Sequence, residues 1–134
     1  MNKFLLGIAT ILIVSGCANI TKWIPSDFDN VEFNRLAELH VLASAPMDGK
    51  NWCGSYDIGM INYHASVLTV YSENRLNDNI TLIYQNINSI SQTLLDRVRQ
   101  PGSPPSEARC KLSRGQIADL TDEALEVFGD RKWM

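Results

Sequence analysis

The 134-residue sequence contains few of the side chains on which catalysis and metal binding usually depend. It has two histidines, His40 and His64, and neither stands at a metal-ligand spacing such as His-Glu-x-x-His. It lacks a Cys-x-x-Cys pair, a Gly-x-Ser-x-Gly motif and a glycine cluster of the kind that holds phosphates. We therefore expect a protein that is not an enzyme and has no metal, cofactor or small-molecule substrate.

No apolar run reaches the roughly 20 residues that a membrane-spanning helix needs. The run at 4–14 is about half that length, follows the basic Lys3 and leads directly into Val14-Ser15-Gly16-Cys17. A basic start, a short apolar segment and small residues before a cysteine are typical of a lipoprotein signal peptide. We therefore predict a signal peptide at 1–16 that is removed to expose Cys17 for lipidation.

The processed chain is expected to consist of a lipidated tether at 17–28 and one domain at 29–134. Its lipid would anchor it in the membrane, and Ala18, where an aspartate would favour the inner membrane, predicts the periplasmic face of the outer membrane. Basic residues are in the minority, because removal of 1–16 leaves 11 of them against 15 acidic residues, a net charge of −4. That balance disfavours nucleic-acid binding.

Cysteine is scarce, and only Cys53 and Cys110 remain once Cys17 is acylated. An even number of cysteines in an exported chain favours one disulfide, which would span 57 positions of the sequence. A catalytic redox pair is the alternative, but such cysteines normally stand two residues apart. We therefore predict a structural disulfide.

Glycine and proline are absent from 60–99, where the apolar pattern is helical. Two stripes that are out of phase predict one helix at 57–74 and another at 78–99; they consist of Ile58, Ile61, Ala65, Leu68 and Tyr71, and of Ile80, Ile83, Ile87, Ile90 and Leu94. A preceding helix is predicted from a cap at Asp29 or Asn30 to near Ala45, because Pro46 restricts the residue before it. Trp52 is expected to cover one end of the core.

The cysteine pair decides whether 57–99 is one helix or two. A continuous helix would be about 63 Å long. The chain from Gln100 to Cys110 can return at most about 35 Å, so the two sulfur atoms could not meet. The helices must therefore form an antiparallel hairpin that turns near Asn77, within a cluster of Asn and Asp residues.

Prolines at 101–105 end the third helix, and a separate short helical turn is predicted at 106–112. Ser113-Arg114-Gly115-Gln116 has the spacing of a capping box and predicts a fourth helix that ends at Gly129. Four acidic residues share one side of it, either as a solvated face or as a patch that attracts a basic partner: Asp119, Asp122, Glu123 and Glu126. The fold class predicted is an all-α four-helix bundle with one disulfide.

The lipobox, Leu36-Ala37-Glu38-Leu39, Lys50-Asn51-Trp52-Cys53 and Ser106-Glu107-Ala108-Arg109-Cys110 follow one another in an order that resembles the pilotin lipoproteins of type II secretion, the PulS/OutS kind. The resemblance spans most of the processed chain. It implies a disulfide-bonded four-helix bundle that binds the C-terminal tail of a secretin subunit and takes it to the outer membrane. Cys17 would match the lipidated residue, and Cys53 and Cys110 the disulfide.

The family's motifs do not identify its groove residues in this chain. From the amphipathic faces we predict a partner-binding groove at six positions, for which core packing is the alternative: Leu36, Leu39, Leu94, Leu95, Ile117 and Leu120. The competing interpretation of the whole chain is a structural or phage-encoded exclusion lipoprotein of the envelope that binds another membrane protein.

Overall fold

The computed structural model describes residues 29–74 and 78–133, and within these ranges the chain forms four helices and no strand. In chain order, α1 spans Asn30–Ser44, α2 Ser55–Asn74, α3 Asp78–Arg99 and α4 Glu107–Trp133. The predicted all-α bundle is confirmed. The predicted signal peptide, Cys17, the tether at 17–28 and the turn near Asn77 lie outside the described residues.

Local signals fix both ends of α1. The Asp29 carboxylate accepts hydrogen bonds from the backbone N–H groups of Val31, at 2.7 Å, and Glu32, at 3.2 Å, so it is the N-cap. At the other end Ala45 has extended backbone, with φ −155° and ψ 147°, as expected for a residue before a proline. The predicted bounds of this helix are confirmed.

The fourth helix starts earlier and runs further than predicted. The Ser106 hydroxyl accepts a hydrogen bond from the Arg109 N–H at 3.2 Å and caps the helix, so Cys110 already lies in its first turns. Ser113 is therefore internal to the helix, and the predicted start there is wrong. The predicted end at Gly129 is also wrong, because a glycine inside a helix costs only about 1 kcal/mol relative to alanine and does not by itself stop it.

The core has two parts. The larger lies between all four helices and has as its bulky members Leu36, Leu39, Ile61, Leu68, Ile80, Tyr84, Ile87, Ile117 and Phe128. The smaller, at the disulfide end, contains Ile58, Leu94, Leu95 and Cys110. Trp52 and Cys53 pack against this smaller cluster, so the prediction that the tryptophan covers one end of the core is confirmed.

A polar seam joins α2 to α3. The Asn62 amide donates to the Asn88 side chain at 3.3 Å and to the Ser91 hydroxyl at 3.1 Å, while Ser72 and Thr81 are hydrogen-bonded at 3.0 Å. Later residues of α2 pair with earlier residues of α3, so the two helices are antiparallel, as the distance between the cysteines required. Each buried polar group in this seam thereby has a partner.

Candidate functional site

The predicted groove residues lie inside the bundle. Five of them are buried, namely Leu36, Leu39, Leu94, Leu95 and Ile117. The sixth, Leu120, is partly buried and packs against the larger core cluster. A groove at these positions is therefore not open in this structure, because the most regular apolar stripes of the chain are the ones that the helices bury against one another.

An apolar surface exists on α2 instead. We call it the α2 stripe and define it as Tyr63, Val67, Val70 and Tyr71, with Ser66 and Asn74 at its margins. These residues recur at helical spacing and line a shallow depression of 430 Å³ on one face of the helix. Tyr63 is 55% exposed, Val70 58% and Tyr71 36%. The α2 stripe is thus a patch of large side chains that the bundle itself leaves uncovered.

α2 is therefore apolar on two faces. The core face carries Ile58, Ile61, Ala65 and Leu68, as predicted. Tyr71, which we predicted for the core stripe, belongs to the outer face, and its hydroxyl donates a hydrogen bond to Asp29 at the start of α1. The α2 stripe consequently extends as far as Asp29, at the start of α1.

Charged residues of α1 border the α2 stripe. The Arg35 guanidinium lies 5.9 Å from the centre of the Tyr63 ring and within 3.2 Å of His64 Nδ1. His64 Nε2 is 4.0 Å from a carboxylate oxygen of Glu38. Burial, and next the charge of Arg35, lower the pKa of His64, so its Nδ1 is available to accept a hydrogen bond from Arg35. The α2 stripe thus has a polar edge that carries both signs of charge.

The other histidine, His40, contacts two residues of α4. His40 Nδ1 is hydrogen-bonded to the Thr121 hydroxyl at 2.7 Å, and its Nε2 lies 3.6 Å from Asp122. All four acidic residues of that face are exposed, which agrees with a solvated face. Among the described residues there is no group of three or more His, Cys, Asp or Glu side chains that could hold a metal ion.

The disulfide between Cys53 and Cys110 is present, with an S–S distance of 2.01 Å and a Cα–Cα distance of 5.4 Å. It fastens the connection between α1 and α2 to the first turns of α4. The pairing predicted from the cysteine count is confirmed.

Beside the disulfide, Arg114 is fully buried, which the sequence did not lead us to expect. Its guanidinium donates to the carbonyl oxygens of Leu42, Ala45 and Trp52, the last two at 3.1 Å, and lies 3.4 Å from the Asp57 carboxylate. Burial lowers the pKa of Arg114, and Asp57 partly opposes that shift. Arg114, which lies on α4, therefore caps carbonyl groups at the end of α1 and joins the two helices.

Backbone amides organise the rest of this connection. The Asp48 carboxylate accepts hydrogen bonds from the N–H groups of Lys50 and Asn51, at 2.9 and 2.8 Å, and these bonds lower the pKa of Asp48. The Met47 N–H donates to Asp57 at 2.9 Å. These contacts position the loop that carries Cys53.

None of the helices described is both long and apolar enough to cross a membrane. Comparison of the chain with protein-family models, with curated proteins and with solved structures finds no match. The interpretation of the α2 stripe therefore depends on its own residues.

Proposed function

We propose that the protein is a lipid-anchored escort of the pilotin type, which holds an amphipathic helical tail of a secretin subunit on the α2 stripe and targets that subunit to the outer membrane. The observation that carries the proposal is the row of exposed Tyr63, Val70 and Tyr71 on a helix whose opposite face is already packed.

The α2 stripe has the chemistry that helix-in-groove recognition uses. An amphipathic helix presents its apolar side chains at the same three- and four-residue steps as those of the α2 stripe. Arg35 and Glu38 along one edge could pair with charges that flank the apolar face of such a helix. A tail that is disordered when free would fold as it binds.

Replacement of Val70 by Glu is expected to weaken binding of an amphipathic secretin-tail peptide at least about tenfold, because a charge would be desolvated without a partner. The full chain in neutral detergent is titrated with the peptide while far-ultraviolet circular dichroism follows helix content. Val41→Glu is the matched control, since Val41 is 68% exposed on α1 and outside the α2 stripe. No gain in helicity on mixing, or equal weakening by both variants, would contradict the proposal.

Cys17→Ser tests the anchor separately. Because the cysteine thiol is the predicted acceptor of the lipid, the variant is expected to move from the membrane fraction to the soluble periplasmic fraction. Cell fractionation followed by immunoblotting measures this. A variant that stays in the membrane fraction would show that something other than acylation of Cys17 holds the protein there.

A further inference from the structure

A second concave site lies between α3 and α4, distinct from the α2 stripe. It has a volume of 230 Å³ and is lined by the apolar Ile90 and Leu94 and by six polar side chains: Ser89, Thr93 and Arg97 on α3, and Arg109, Ser113 and Gln116 on α4. The three on α3 are spaced by four residues, and those on α4 by four and three. One row on each helix therefore faces the cleft.

Two arginines line this cleft without a carboxylate partner among the described residues. The described ion pairs involve Asp122 with His40, Glu38 with His64, and Asp57 with Arg114. Arg97 and Arg109 are both exposed and each brings a positive charge to the lining of the cleft, where together they would attract an anion.

The helix dipole does not explain the position of Arg109. It lies in the first turn of α4, where the helix dipole disfavours a positive charge. Arg97 lies in the last turn of α3, where the dipole favours one. The dipole thus accounts for Arg97 but leaves Arg109 without a structural reason.

The donors in the cleft suit one class of ligand. Guanidinium groups bind phosphate oxygens in pairs, and the Ser89 and Ser113 hydroxyls and the Gln116 amide supply further donors on both helices. A phosphate group offers three or more oxygens to such a set, whereas a carboxylate offers only two. The cavity is smaller than the roughly 300 Å³ at which pockets for drug-sized ligands begin, so it suits a small group.

We propose that the cleft between α3 and α4 is a binding site for a phosphate group. The group is either free phosphate or the headgroup phosphate of an anionic lipid, since both present the same oxygens. The site is independent of the proposed escort function, because it shares no residue with the α2 stripe.

The test uses the full chain, labelled with ¹⁵N and purified in neutral detergent. Inorganic phosphate is titrated at constant ionic strength, with chloride as the balancing anion, and in a second arm phosphatidylglycerol is added to the micelles. The side-chain Nε–H signals of Arg97 and Arg109 report binding. The double variant Arg97→Gln/Arg109→Gln is compared with Arg99→Gln/Lys111→Gln, which removes the same charge from the same two helices outside the cleft.

We expect saturable shifts of both arginine signals, and affinity at least about tenfold lower in the cleft variant while the control stays within about twofold, because only the cleft variant loses charge-assisted hydrogen bonds. Saturation by inorganic phosphate identifies the free ion as a ligand, and saturation only by phosphatidylglycerol identifies the headgroup. Absence of saturation in both arms, or equal losses in both double variants, would overturn the proposal. Peptide binding to the α2 stripe is unaffected in either case.

Discussion

Replacement of Arg114 by Met is expected to lower the free energy of unfolding by about 3–5 kcal/mol, because it leaves a buried carboxylate without its cation. Asp57 would keep only the Met47 N–H among the partners described above. The part-buried carbonyl oxygens of Leu42, Ala45 and Trp52 would also lose a donor. The four contacts of the Arg114 guanidinium act together, so we expect one large loss of stability rather than several small ones.

Urea unfolding followed by circular dichroism measures this loss. Arg109→Met is the matched control, since it makes the same substitution at an exposed position of the same helix; it is expected to raise stability by no more than about 0.5 kcal/mol, because it removes a charge that the α4 dipole disfavours. Arg114→Lys keeps the charge but not the planar fork, so its loss should lie between the two. Equal stability of the Arg114→Met and Arg109→Met variants would show that the buried guanidinium is not a structural tie.

The sequence contains a pattern that predicts the burial of Arg114, although the apparent capping box at Ser113 indicated a later start for the helix. Arg114 is four residues after Cys110 and three before Ile117, and all three are buried on one face of α4. A stripe that extends through the cysteine would have predicted both the early helix start and an inward arginine. Its acceptors could not be predicted in the same way, because they lie in distant parts of the sequence and converge only in the folded bundle.

Most of the fold followed from two physical constraints. The helical apolar pattern at 60–99, uninterrupted by proline or glycine, predicted helices there, and the reach of the chain between the cysteines required those helices to be antiparallel. The bounds of α1, α2 and α3 consequently lie within two residues of the predicted ones. The fourth helix differed because its start depends on a hydrogen bond from the Arg109 N–H to the Ser106 hydroxyl, whereas a second serine with similar spacing follows at Ser113.

The candidate site was less predictable than the fold. Periodicity identifies an apolar face but not whether another helix will cover it. Leu36, Leu94 and Ile117 belong to faces that meet each other in the bundle, whereas Val70 and Tyr63 belong to a second face of α2 that none of the other described helices packs over. Only the packing of all four helices shows which apolar faces are covered and which are exposed.

Reduction of the Cys53–Cys110 disulfide is expected to lower the free energy of unfolding by about 4 kcal/mol. In the chain-entropy model the bond restricts the unfolded chain, and the restriction grows with the size of the closed loop, here 57 positions. Urea unfolding with and without a phosphine reductant measures the loss. A Cys53→Ala/Cys110→Ala variant should be insensitive to the reductant, so any shift in that variant would mean that reduction acts elsewhere.

Reduction combined with Arg114→Met is the sharper test of how this end of the bundle is held. Both ties fasten the connection around Trp52 to α4, so we expect their effects to couple by about 0.5–3 kcal/mol rather than add independently. The sum of the two losses, about 7–9 kcal/mol, nevertheless lies within the roughly 5–15 kcal/mol that stabilises a domain of this size. The reduced Arg114→Met variant should therefore be largely unfolded in the absence of urea. A cooperative transition that remains in this variant would show that the two losses overlap, so that each tie contributes little once the other is gone.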